Sequence, residues 1–290
     1  MTGTLLILSI VSMYYYTSSY WNYEDSVYEF DVMDKVYNLK KPSKRWDLPK
    51  ELVEISGLSF FKNNELACIQ DEDGDFFIYD LRKQEITRKD KFGEKGDYEG
   101  VEVIEDTVYV LKSNGDVFYF HLKSTGIGEV LKLKTDLKKQ NDAEGLGFLK
   151  KHQEILIACK EKPGTKKIDV EKSRTIYRIS RQDKKFKKKP KYTIDAKSYN
   201  KMLEKKGFSK KQHKPFKPSG VAVHPKTNDV YVIGTVGKMM IILNPSGDII
   251  DLIPLNPEVF RQPEGICFSP DGDLYISSEG RNKKGYILKF

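Results

Sequence analysis

The 290-residue sequence predicts an all-β fold, a five-bladed β-propeller with four-stranded blades whose last blade is closed by an N-terminal strand. The first observation behind this is a recurring phrase: Ser56-Gly57-Leu58, Glu99-Gly100-Val101, Glu144-Gly145-Leu146, Ser219-Gly220-Val221 and Glu264-Gly265-Ile266. Its first residues are 43, 45, 75 and 45 positions apart, so each step is one repeat unit or, in the third case, one unit plus an insertion. The second is that short apolar or alternating runs bounded by turn residues fill each unit. The third is a 12% aromatic content, with 17 Tyr and 15 Phe, residue types that pack well on pleated surfaces. A period of roughly 40–50 residues carrying several short strands is the signature of propeller blades.

The blades can be followed in order. After the first phrase come Glu65 to Gln70, the turn Asp73-Gly74, Asp75 to Asp80 and Gln84 to Phe92. The second unit has Glu99 to Ile104, Thr107 to Lys112, a turn at Asn114-Gly115, Val117 to Leu122 and Glu129 to Lys134. The third has Glu144 to Leu149, Glu154 to Lys160, Arg174 to Ser180 and Lys191 to Ile194; the fourth has Ser219 to His224, Asp229 to Gly234, Met239 to Asn244 and Asp248 to Pro254. The last unit offers three strands, beginning at Glu264 and ending with Tyr286 to Lys289. A ring must close to remove its edges, and Val27 to Leu39 is the expected source of the missing strand. Six blades are the alternative, with the sixth inside Lys160 to Phe216. That stretch is too lysine-rich for four buried strands and reads instead as a hairpin extension plus a short helical or irregular insertion around Lys197 to Lys206.

A domain at 27–290 therefore carries a basic insertion at about 160–216. The insertion holds 21 Lys or Arg against 6 Asp or Glu, a local net of +15 within a chain of formal charge +8, so the remainder is mildly acidic at −7. Charge so concentrated points to a solvated face or to an anionic lipid or polymer partner, and nucleic acid is not expected. Residues 1–20 contain the apolar run Leu5 to Met13 and read as a signal or membrane-anchor segment, which places the protein at the cell envelope, on the periplasmic or extracellular side. The run is shorter than the roughly 20 residues of a spanning helix. Cys68, Cys159 and Cys267 each lie in strand-like apolar surroundings and are expected to be buried free thiols, with no zinc-type spacing among them.

Inner strands line a propeller's channel, so the phrase brings Ser56, Glu99, Glu144, Ser219 and Glu264 to one height around the axis. Three carboxylates so placed resist joint ionisation unless protonated or joined by a cation. Ca²⁺ suits an oxygen-rich ring because it accepts six to eight oxygens at loose geometry. The alternative is that the carboxylates cap inner strands or face water. A second ring, at the ends of the second strands, would contain Asp71, Glu72, Lys112, Lys160 and Glu279. None of His121, His152, His213 and His224 joins a nucleophile motif such as G-x-S-x-G, and phosphate-binding loops are absent.

Leu48 to Leu58, Gln70-Asp71-Glu72-Asp73-Gly74, Asp97-Tyr98-Glu99-Gly100-Val101, Asp142-Ala143-Glu144-Gly145-Leu146 and Gln262-Pro263-Glu264-Gly265-Ile266 together resemble the SdiA-regulated family of bacterial envelope proteins. The resemblance covers Val27 to Phe290 and implies a five-bladed propeller, distantly similar to NHL-repeat proteins, with a calcium site and no established enzymatic activity. Carried over, calcium falls to Glu99, Glu144 and Glu264, with Ser56 and Ser219 at the non-acidic positions; the reading of the channel mouth adds Asp71 and Glu72 to the two serines as channel ligands. The expected function is a monomeric, non-catalytic calcium-binding module for an envelope ligand or protein. The alternative is a calcium-dependent hydrolase, lactonase or phosphoesterase-like, at the channel mouth.

Overall fold

The computed structural model describes residues 29–32, 35–161, 173–210 and 213–290. The leader expected at 1–20 lies outside them. Five antiparallel four-stranded sheets surround one axis, and each is a sequence-local meander except the last. Blade one is β4 (Ile55–Lys62), β5 (Glu65–Gln70), β6 (Asp75–Asp80) and β7 (Glu85–Lys91); blade two is β8 (Tyr98–Ile104), β9 (Thr107–Lys112), β10 (Val117–His121) and β11 (Leu131–Leu133). Blade three is β12 (Ala143–Leu149), β13 (Glu154–Cys159), β14 (Arg174–Ser180) and β15 (Lys185–Ile194), followed by the helix α1 (Ala196–Lys205). Blade four is β16 (Gly220–Val223), β17 (Val230–Gly234), β18 (Met239–Leu243) and β19 (Ile249–Pro254). Among the described residues there is no sixth blade.

Closure differs from the sequence expectation in one respect. Blade five is β20 (Pro263–Phe268), β21 (Leu274–Ser278), β22 (Tyr286–Lys289) and an N-terminal strand, but that strand is β3 (Lys44–Asp47), paired Tyr286↔Asp47 through Lys289↔Lys44. Trp46 fixes it: the indole is buried at the boundary with blade one and its Nε1–H donates to Leu81 O at 2.7 Å. In the segment Val27 to Leu39, the described residues form β1 (Glu29–Val32) and β2 (Lys35–Asn38), which pair with each other. This hairpin lies on blades four and five, where Tyr37 and Leu39 are fully buried against Tyr231 and Phe268 and Lys35 pairs with Asp273.

The core is divided between neighbouring blades rather than gathered in one place. Alternate residues of the middle strands face opposite neighbours: Leu66, Cys68, Phe77 and Tyr79 pack toward blade five, while Ala67, Ile69, Phe76 and Ile78 pack toward blade two. This is the period-two logic of strands buried on both faces. All three cysteines are buried free thiols in these inter-blade layers.

The inner strands approach each other closely because each phrase carries a glycine. A Cβ on Gly57 would stand 2.8 Å from Val101 N, one on Gly100 2.8 Å from Leu146 N, one on Gly145 2.8 Å from Val221 N, one on Gly220 2.4 Å from Glu264 O, and one on Gly265 2.9 Å from Leu58 N. The obstacle is the next blade's backbone in every case, so a methyl group can enter only if blades separate. Gly145→Ala and Gly220→Ala are each expected to cost about 1–3 kcal/mol, read as a Tm drop of roughly 3–10 °C by calorimetry. Gly128→Ala, whose Cβ would meet His121 O at an ordinary 3.5 Å, should leave Tm unchanged.

Candidate cation site at the propeller axis

In four of its five occurrences the recurring phrase is a β-bulge, Ser219-Gly220-Val221 being the exception. In β4 the ladder skips from Ile55↔Gln70 to Gly57↔Ile69, in β8 from Tyr98↔Lys112 to Gly100↔Leu111, and in β12 from Ala143↔Cys159 to Gly145↔Ala158. The ladder of β20 slips at Glu264-Gly265 in the same way. Ser56, Glu99 and Glu144 are thus left out of the pairing, and Glu264 lies in the slip of β20; a bulge of this kind re-aims side chains. With Ser219 they line one small cavity on the axis, together with the Gly and apolar residue that follow each. Its free space is about 10 Å³, close to what a single water molecule requires.

The five positions are not equivalent. Ser56 Oγ donates to Tyr98 O at 2.7 Å and Ser219 Oγ to Pro263 O at 2.6 Å. Each serine therefore spends its proton on the residue before the next blade's glutamate, tying blade one to two and blade four to five. Glu144 is buried, and Glu99 and Glu264 are half-buried. Burial, then the neighbouring charge of Glu144 and the hydrogen bond with Asp97, pushes Glu99 up to about 11. Burial and Glu144 push Glu264 up to about 8, against the pull of Lys160 and a hydrogen bond from Thr235 Oγ1 at 3.1 Å. Burial raises Glu144 to about 7, with Lys160 opposing it.

Lys160 is the residue that sequence reasoning misplaced. Expected in a second ring at the ends of the second strands, its ammonium instead joins the axial ring, 2.7 Å from Glu144 Oε1 and 3.9 Å from Asp142 Oδ2. Burial works against its charge, but Glu144, Asp142 and Glu264 outweigh that and hold its pKa above the usual lysine value. The signal was the antiparallel pairing of β12 with β13, which sets Lys160 beside Asp142, its N–H donating to Asp142 O at 2.7 Å. Of the rest of the expected second ring, Glu72 and Glu279 act on Asp71 and Lys112 turns elsewhere. Lys112 lies over the Tyr98 ring, Glu279 accepts from Gln262, and Glu72 is exposed. Asp71, with Oδ1 buried and unpartnered, is pushed up to about 6 by burial and then by Glu54, Glu279 and Glu72. The mouth is therefore acidic well beyond the axial ring. Lys238, half-buried, is lowered to about 8 by burial against the pull of Glu264.

The donor set fits a hard cation in atom type and in charge: three carboxylates meet at the cavity and one lysine compensates one of them. Among the described residues, however, no three His, Cys, Asp or Glu side chains converge tightly enough to hold an ion unaided. An ion here would need water or backbone carbonyls to complete its shell, which Ca²⁺ accepts more readily than Mg²⁺.

These features define a propeller of five blades, each an antiparallel sheet of four strands, built around an acidic axial cavity. The chain belongs to the SdiA-regulated family, whose model matches residues 38–283. No curated protein matches the sequence. Among solved structures, the glutaminyl cyclase of Myxococcus xanthus is similar with a TM-score of 0.60 at 8% identity, over 86% of this chain and 94% of that one. A luciferin-regenerating enzyme is similar at a TM-score of 0.52 and 11% identity, over 86% and 95%. The PQQ-bound aldose sugar dehydrogenase of Streptomyces coelicolor is similar at 0.51 and 10%, over 86% and 96%. At such identities the likeness is one of fold.

A carboxyl whose folded pKa is raised keeps a proton that the unfolded chain has released. Between the ordinary value of 4.5 and about 8, Glu264 therefore favours the folded state less as pH rises. In chelator, the protein should lose stability over that window by at most about 1.4 kcal/mol per pH unit for each such group. Glu264→Gln should flatten the slope and raise Tm at pH 8. Denaturant titrations at pH 5, 6.5 and 8 measure both.

Proposed function

We propose that this protein is a non-catalytic, calcium-binding propeller of the cell envelope, acting as a ligand-binding or interaction module. The observation that carries the cation is the compensation of only one axial carboxylate: Lys160 pairs with Glu144, while Glu99 and Glu264 have no lysine or arginine ion pair among the described residues. Glu99 and Glu264 would hold the ion, with Glu144 kept in place by Lys160. The ion would tie the inner strands of blades two and five across the axis. The envelope location rests on the apolar run Leu5 to Met13, and the ligand is expected at the acidic mouth beside Asp71 and Glu279.

Calorimetric titration of the chelator-stripped protein should show one calcium site at pH 7.5. With calcium at 100-fold above Kd the stabilisation is about 2.7 kcal/mol, a Tm rise of roughly 5–10 °C at this size. Glu99→Gln and Glu264→Gln should abolish the rise. No heat and no Tm change in the wild-type protein would sink the calcium assignment.

A calcium-dependent hydrolase is the second reading, favoured by Asp71, whose raised pKa of about 6 suits a general base near neutral pH. A bound ion would act as a Lewis acid there. A panel of lactones and phosphoesters, with Glu144→Gln as control, separates the readings: calcium-dependent turnover lost in the variant favours the enzyme, and no turnover favours the binding module.

A further inference from the structure

The basic insertion builds a cavity of its own, well away from the axis in sequence and independent of the proposed cation site. It lies between the start of β14, the end of β15, helix α1 and the chain leading into β16. Its lining includes Arg174, Tyr199, Asn200, His213, Lys214 and Phe216. Arg174 is only 6% exposed and Tyr199 5%. Among the described residues, Arg174 Nε, the Tyr199 hydroxyl and His213 Nε2 are all buried without a hydrogen-bond partner.

Buried polar atoms are satisfied as a rule, so three orphans on the residues lining one cavity call for a physical reason. The orphaned guanidinium is the strongest of them. Among the described residues its hydrogen bond runs from Nη1 to the adjacent Ser173 O at 2.9 Å, and it has no ion pair. The acidic group that acts on it, Glu161, is already paired with Lys217. Burial accordingly lowers the Arg174 pKa from its usual value. An arginine fork held in a dry wall beside a phenol and an imidazole matches a planar or tetrahedral oxyanion. The rest of the lining, Ile194, Ala196, Pro215 and Phe216, is apolar.

We propose that this cavity binds a small organic oxyanion, a carboxylate or phosphate monoester carried on a compact apolar body. The oxyanion accepts from Arg174, Tyr199 and His213, and the apolar body lies against Ile194, Pro215 and Phe216. The volume of about 240 Å³ is below the roughly 300–1,000 Å³ of pockets for drug-sized ligands, which sets the ligand near the size of a single substituted ring.

The test is calorimetric titration of the full chain with benzoate, phenyl phosphate, inorganic phosphate and chloride at matched ionic strength. Benzoate or phenyl phosphate should bind at one saturable site at least tenfold more tightly than inorganic phosphate, and the tighter of the two identifies the oxyanion. Arg174→Met should abolish binding, while Tyr199→Phe and His213→Asn should each weaken it about five- to tenfold with unchanged circular dichroism. Should Arg174→Met fail to fold, the two milder variants decide. Glu264→Gln and added chelator should leave binding intact, which separates this site from the axial one. The proposal is overturned if neither organic anion saturates, if all four anions act alike, or if Tyr199→Phe and His213→Asn both bind as wild type.

Discussion

Everything else in this structure depends on the contact between each phrase glycine and the backbone of the next blade. Gly57 meets blade two, Gly100 blade three, Gly145 blade four, Gly220 blade five and Gly265 blade one. Because the contact is to backbone, it sets the radius of the ring whatever side chains lie further out. A radius this small explains why the axial cavity holds little more than one water-sized body. It also explains why a charge placed there loses most of its hydration. Five blades and an acidic axis are in this sense one constraint seen twice.

The bulge links the two. By leaving Glu99 and Glu144 out of the ladder, and by breaking register at Glu264, it presents carboxylates to the axis without interrupting the strands that carry them. The serine positions use the same place differently, turning a side chain into a hydrogen bond between blades. The ring thus alternates between fastening and charge. Lys160 fits the same economy of space: its long stem crosses from the end of β13 to Glu144, with which it makes the closer of its two ion pairs.

The insertion shows how a lysine-rich stretch becomes part of a fold. Part of its charge is fastened by pairs: Arg178 and Lys191 converge on Glu154, Lys187 pairs with Asp183 and Lys188 with Asp136. Its apolar residues face inward, with Ile194, Tyr199, Leu203 and Phe216 joining the layer between blades three and four. Asp195 caps α1 by accepting from Ser198 N at 2.9 Å, which starts the helix where the last strand of blade three ends. The result is an outer wall on blade three and a cavity that a plain hairpin would not have.

Whereas the outer strands of blades two and three, β11 and β15, came out shorter and longer than expected, the number of blades, most inner and middle strands, the buried thiols, the helix near Lys197 and the axial height of Glu99, Glu144 and Glu264 were legible from residue order. They follow from period-two patterning and a fixed repeat length, which are local properties of the chain. Tertiary structure alone decided which N-terminal segment closes the ring. The expected Val27 to Leu39 does not close it; Lys44–Asp47 does, held by Trp46 reaching Leu81 O in blade one. It also decided that Lys160 enters the axis and that Arg174, Tyr199 and His213 line one cavity. Those outcomes join residues from different strands, helices and loops, and no pattern along one strand records a distance across several.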